Sequence, residues 1–166
     1  MPRLVDSLIA EMNQEAETTK RLLERVPGDK LEWQPHPKSM PLGQLAFHVA
    51  RIPSAIATLM KEDSVDISVF GHDPVETVDK LLPTLETSLQ TANNILDQFD
   101  DAAMMAKWTV TKDGQEIFGA PRVGFARAIL LNHWYHHRGQ LSVYLRLLGV
   151  PVPSIYGPSA DENPFE

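Results

Sequence analysis

The chain contains no cysteine. Disulfides, thiolate zinc sites and a cysteine nucleophile are thereby excluded, and the lack fits a reducing compartment. Any bound metal would have to use His, Asp or Glu. No apolar run reaches the roughly 18 residues that a membrane helix needs. The opening stretch, MPRLVDSLIAEMNQE, carries Asp6 and Glu11 where a signal peptide has an unbroken apolar core. A cytoplasmic protein without a membrane partner is expected. Clustered positive charge is also scarce: the net charge is −7 and no basic stripe stands out, which argues against nucleic-acid phosphates as partners. Arg122, Arg127, Arg138 and Arg146 share the last helical stretch and are expected on its solvated outer face. Several catalytic motifs are missing as well. Trp134 follows His133, so there is no HExxH, and the GxSxG, GxxxxGK[ST] and GxGxxG patterns do not occur.

What remains is a chain of 166 residues, 43% hydrophobic, enough for one core and one domain spanning residues 1–166. Residues 3–26 read as an amphipathic helix, with Leu4, Leu8, Met12, Ala16, Thr19, Leu22, Leu23 and Val26 inward and Pro27-Gly28 ending it. A proline-rich connection follows, in which Trp33 is expected to tuck in and His36 to sit exposed between two prolines. Ser39 as N-cap and Pro41 open a second helix to about Met60, bent at Pro53 because that residue cannot donate to the carbonyl of Val49. Its apolar stripe is Leu45, Ile52, Ala55, Ile56 and Leu59. Residues 61–72 read as a polar loop. A third helix is expected from about Asp73-Pro74 to Phe99, with Pro83 as a kink or its true start. Residues 107–118 alternate about Asp113-Gly114 and read as a β-hairpin with Trp108 buried and Val110 opposite Ile117. Pro121 to Gly149 reads as one long helix, and the residues after it as an extended tail in which only Ile155 and Tyr156 have reason to pack. The fold class expected is all-α with this short hairpin.

The last helix carries the chemistry. At about 100° per residue, His133, His137 and Gln140 share the stripe of Ala126, Ile129, Leu130, Tyr144, Leu147 and Leu148. His48 lies similarly within the stripe of the second helix. A buried imidazole needs a partner for each nitrogen, and an i, i+4 pair joined by a third ring suits a metal ion with one open position. Three neutral ligands would leave the ion's charge available to activate water or a small thiol. Imidazole suits several divalent ions; zinc or nickel is expected first, iron or manganese next. His136, about 100° from His137, cannot easily join them. Gln44 and Gln140, each about one turn from a ligand, are candidates for binding the cofactor or its ligands. On the opposite side, Leu131, Tyr135 and Leu145 suggest an exposed patch and a homodimer.

The blocks LEWQPHPKSMPLGQLAFHVA and LNHWYHHRGQLSVYLRLLGVPVPSIYGPSADE resemble the DinB family, helical bacterial proteins described as metalloenzymes and related to the YfiT-like proteins. The resemblance implies a four-helix bundle of up-down-down-up order, a metal on His48, His133 and His137, and frequently a homodimer. It also implies chemistry on a small-molecule substrate, by water or by a low-molecular-weight thiol, as a hydrolase or thiol S-transferase. A protein whose metal only ties two helices together is the alternative from another class.

Overall fold

The computed structural model describes residues 1–71 and 75–165. Helix α1, Leu4–Leu23, buries Val5, Leu8, Met12, Ala16, Thr19, Leu22 and Leu23, the i, i+3/i+4 stripe foreseen, except that Val5 replaces Leu4 at its start. Asp6 caps it by accepting the backbone N–H of Arg3 at 2.7 Å. Helix α2, Leu42–Leu59, begins directly after Pro41, without a cap from Ser39. Its buried face is Leu42, Leu45, Ala46, Val49, Ile52 and Ile56, whereas Ala55 is exposed. In the preceding connection Trp33 packs edge-on against Tyr144 at 5.7 Å, and His36 is exposed.

Helix α3, Leu81–Leu96, follows a 3₁₀ turn at Val78–Lys80, so Pro83 lies in its first turn and marks its start. The start expected at Asp73-Pro74, like His72, lies outside the described residues. A short helix not foreseen, α4 (Asp101–Met105), is capped by the side chain of Asp100. Both α1 and α2 pack against α3 and against the last helix, α6 (His133–Leu147). No helix among the described residues is long and apolar enough to cross a membrane.

The protein is mostly helical and has the expected hairpin, to which a third strand is added. Strand β1 (Ser64–Asp66), within the stretch expected to be loop, pairs in parallel with β2 (Lys107–Lys112), which pairs antiparallel with β3 (Gln115–Pro121). The hairpin turns at Asp113 (φ 52) and Gly114 (φ 76), the two positive φ values that its tight turn demands. Its register differs from expectation. Thr111 pairs with Glu116 and Val110 with Phe118, so Ile117 is the extra residue of a bulge. Trp108 is fully buried, donates to the Leu59 carbonyl at 3.2 Å and stacks on Phe125 at 3.7 Å.

The last helix is not one regular helix. It is α-helical at Arg122–Phe125 (α5), π-helical at Ala126–Asn132, and α-helical again at His133–Leu147 (α6), ending at Gly149 with φ 73. A π turn closes each ring one residue later, so the buried stripe shifts by about one residue, or 100°. Trp134, Arg138, Leu141 and Leu145 are therefore the core residues of α6, and Leu147 is exposed. The outward patch expected from Leu131, Tyr135 and Leu145 does not exist: Leu131 and Leu145 are 0% exposed and Tyr135 is half-buried.

Two of the arginines expected in solvent are buried. Arg122 donates to the carbonyls of Met60 (2.8 Å), Ala103 (2.7 Å) and Glu62 (3.1 Å) and pairs with Asp63, closing the C-terminal end of α2. Arg138 pairs with Glu15 at 2.6 Å, donates to Thr19 and Tyr156, and lies over the rings of Tyr135 and Tyr156. The tail is also better anchored than expected. Val152, Pro153 and Ser154 are buried, and Asp161 and Glu162 accept the N–H groups of Val152 and Ser154 while pairing with Arg146, Arg21 and Arg25.

The Pro53 bend is satisfied from two sides. Trp134 Nε1 donates at 2.8 Å to the Val49 carbonyl that Pro53 cannot serve, and Ser88 Oγ bonds the Ser54 N–H (2.9 Å) and the Arg51 carbonyl (3.3 Å). Trp134→Phe should cost about 2–4 kcal/mol, partly from the unpaired buried carbonyl. In a Pro53→Ala background, residue 53 regains an N–H for that carbonyl, and the same change should cost about 1 kcal/mol less. Denaturant melts of the four proteins measure this coupling, and strictly additive costs would contradict it.

Glu11 ties α1 to the last helix through Arg127 (2.6 and 2.8 Å) and the Tyr135 hydroxyl (2.9 Å). The bond from Arg127, with a smaller part from Tyr135, holds its carboxyl below the ordinary value of 4.5. Its contribution is thus fully present above that value and disappears as pH falls through the depressed one. Wild type should exceed Glu11→Gln in stability by about 0.5–1 kcal/mol at pH 7, with the gap closing below pH 4 or so. Melts across pH would check it; a gap that widens toward acid would be the wrong sign.

Candidate metal centre

Helix α2 delivers His48 one residue before Val49, and α6 begins with His133 one residue before Trp134. The indole-to-carbonyl bond therefore joins the two elements directly beside the histidines they carry. His137 follows one turn later on α6. The three rings converge, with centroids 5.3 Å apart for His48 and His133, 4.6 Å for His48 and His137, and 4.4 Å for His133 and His137. One nitrogen from each lies within 4.8 Å of the others. The predicted trio is thus brought together. It lies at the edge of the core instead of at the centre of an apolar stripe, because the π segment has turned α6.

The remaining polar atoms settle the protonation pattern. Gln140 Oε1 lies 2.7 Å from His137 Nδ1, and an amide oxygen can only accept, so this nitrogen holds the proton and His137 Nε2 presents a lone pair. His137 Nε2 is 2.8 Å from His133 Nε2, so the proton between them belongs to His133. His133 Nδ1 is then a bare acceptor, and it is buried with no hydrogen-bond partner. The Ile129 carbonyl acts on this ring and favours its protonated form, yet no bond to Nδ1 reaches hydrogen-bonding geometry. An orphaned buried atom of this kind costs about 1–3 kcal/mol.

A divalent cation held by the three rings would relieve this pattern, because with an ion bound at the Nε2 side the proton of His133 would be free to sit on Nδ1. His133, His137 and His48 would hold such an ion, the two Nε2 atoms on the last helix being 2.8 Å apart. Burial first, then the neighbouring His48, lowers the pKa of His133. Burial chiefly, with Gln140 opposing and the other histidines assisting, lowers that of His137 to about 4. Both rings are neutral near pH 7, the state a metal ligand requires.

The other candidates separate. His136 is exposed, its ring 5.0 Å from that of His137, and it stands outside the trio. Gln140 bonds His137 from outside the trio; Gln44 is half-buried one turn before His48.

Sequence reading missed the groove beside the centre. It holds about 450 Å³ between the sheet and the last helix, with walls from Phe70, Ile117, Phe118, Phe125 and Ile129. Among the described residues, His133 is its one polar side chain. A depression of similar size between α1 and α3 is lined by Glu17, Lys20 and Glu86 and contains no histidine, so the chemistry belongs with the former. Trp134 was missed too, although an indole N–H in an apolar stretch has to find an acceptor and Pro53 leaves one.

The DinB family model matches residues 1–164. Uncharacterized protein YrdA of Bacillus subtilis is 26% identical over 170 residues, which cover 98% of this chain and 93% of that protein. Among solved structures, a DinB-like protein of Bacillus cereus superposes with a TM-score of 0.68 at 20% identity, covering 90% of this chain and 95% of that one. The DinB-like YjoA of Bacillus subtilis also gives 0.68, at 22% identity, covering 90% of this chain and 97% of its own. At these identities the structural likeness speaks for the fold, and the family match spans nearly the whole length: the chain belongs to the DinB family.

Proposed function

We propose that the protein is a metal-dependent enzyme of the DinB type, in which His48, His133 and His137 hold one divalent ion. The observation that carries this is the convergence of three imidazoles, one nitrogen of each within 4.8 Å of the others, with the Nδ1 of His133 buried beside them. Such an ion, when bound, supplies a Lewis acid to a water or small-thiol nucleophile. The chain's own contribution is to position and to exclude. Gln140 fixes the His137 tautomer and ring plane, Trp134 ties α6 to α2 beside the ligands, and the apolar groove flanks His133. With no cysteine, covalent catalysis through a protein thiol is excluded, and the reacting nucleophile comes from solvent or substrate. Zinc and nickel remain the first expectations among divalent ions.

We further read residues 1–166 as one domain and the four long helices as the up-down-down-up bundle of the family. The expected homodimer now rests on family resemblance alone, since the patch that suggested it is core.

Untagged protein should carry close to one divalent ion per chain by elemental analysis. His48→Ala, His133→Ala and His137→Ala should each lose most of it, and His136→Ala should keep it. Gln140→Ala should weaken metal affinity about 10- to 100-fold, the usual effect of removing an outer partner. Full metal content in the triple-alanine variant would refute the site.

A further inference from the structure

The groove ending on His133 has a more specific composition than the family's chemistry requires. Its walls come from three parts of the chain: Phe70 beside the turn after β1, Ile117 and Phe118 on β3, and Phe125 and Ile129 on the last helix. Neighbouring residues on a regular strand face opposite sides. Ile117 and Phe118 nonetheless both line the groove, because the bulge between Val110 and Thr111 re-aims one of them. On the helical side, Phe125, Ile129 and His133 follow at i, i+4 through the π segment and present one continuous wall. Trp108 stacks behind Phe125 at 3.7 Å and stiffens that wall. Two independent backbone irregularities thus serve one concavity.

From this we infer that the groove binds an uncharged small molecule with an apolar, aromatic-sized body, its polar reacting atom lying against His133. This rests on the proposed metal centre for the reaction, although binding in the groove does not depend on it. The volume, about 450 Å³, lies within the usual range for small-molecule sites. Among the described residues no lysine, arginine, aspartate or glutamate lines it, so a carboxylate or ammonium carried into it would lose its hydration without a partner. Multiply charged thiols of the glutathione kind are therefore poor occupants, and a hydrophobic thiol, alcohol or ester is a good one. A small molecule is favoured over a second copy of the chain because the groove has a volume usual for such ligands and His133 of the cluster forms part of its lining.

The test uses N-phenyl-1-naphthylamine, a neutral probe that fluoresces in apolar surroundings. The purified protein should bind it, benzyl mercaptan should displace it, and glutathione at the same concentration should not. Phe118 is 46% exposed and Ile117 52%, so aspartate at either position leaves the core intact. Phe118→Asp and Ile117→Asp should each weaken probe binding about tenfold or more, with metal content and melting temperature near wild type. Unchanged probe binding in both variants, or displacement by glutathione as readily as by benzyl mercaptan, would overturn the inference. So would light scattering showing a dimer that excludes the probe, which would assign the groove to a second copy. Probe binding that persists in His48→Ala supports the groove independently, whereas loss of metal with retained probe binding in otherwise wild-type protein would remove only the metal centre.

Discussion

A single hydrogen bond, from the indole of Trp134 to the carbonyl of Val49, fixes how the two helices that carry the histidines meet. The acceptor exists because Pro53 has no N–H to offer it, and a buried carbonyl left bare would cost about 1–3 kcal/mol. The donor exists because an indole in the core must find a partner. Each member therefore satisfies the other's defect. Because Val49 follows His48 and Trp134 follows His133, the bond sets the relative height and rotation of the imidazoles on either side.

Around that bond, the rest of the fold holds α2 and α6 in place. Arg122 and Trp108 take up the carbonyls at the end of α2, which fastens that end to the sheet and to α4. Arg138 fastens α6 to α1 through Glu15 and Thr19, between two tyrosine rings. A buried guanidinium is tolerable only when paired and hydrogen-bonded, and both are. The π segment supplies the remaining adjustment. It turns the start of α6 so that Trp134 enters the core and His133 is left at its rim, where the groove reaches it.

Much of this was legible from residue pattern. The long helices follow from apolar spacing and from breaks at Pro27-Gly28 and Gly149, and the hairpin follows from Asp113-Gly114, a pair suited to two positive φ values. The histidine trio was legible because His133 and His137 are one turn apart and His48 sits on another inward-facing helix. What could not be read was decided by tertiary contacts. Strand β1 is three residues long and owes its existence to pairing with β2. Nothing in residues 126–132 announces a π turn, yet it shifts the positions within and after it on the helical wheel, which is why Leu131, Leu145 and Arg138 were placed outside and proved to be buried; Arg122, which precedes it, is buried by the carbonyls at the end of α2. The groove was invisible for a related reason: its walls depend on a bulge and on that same π segment.

The central claim is that one cation replaces the proton shared by His133 and His137. Long-range ¹⁵N–¹H correlation spectra of imidazole nitrogens in metal-free protein and during a zinc titration test it most directly. The account predicts His137 in the Nδ1–H form throughout, with His133 passing from Nε2–H to Nδ1–H as one equivalent of zinc is added. A His133 tautomer that is Nδ1–H already without metal, or that stays Nε2–H at saturation, would contradict it.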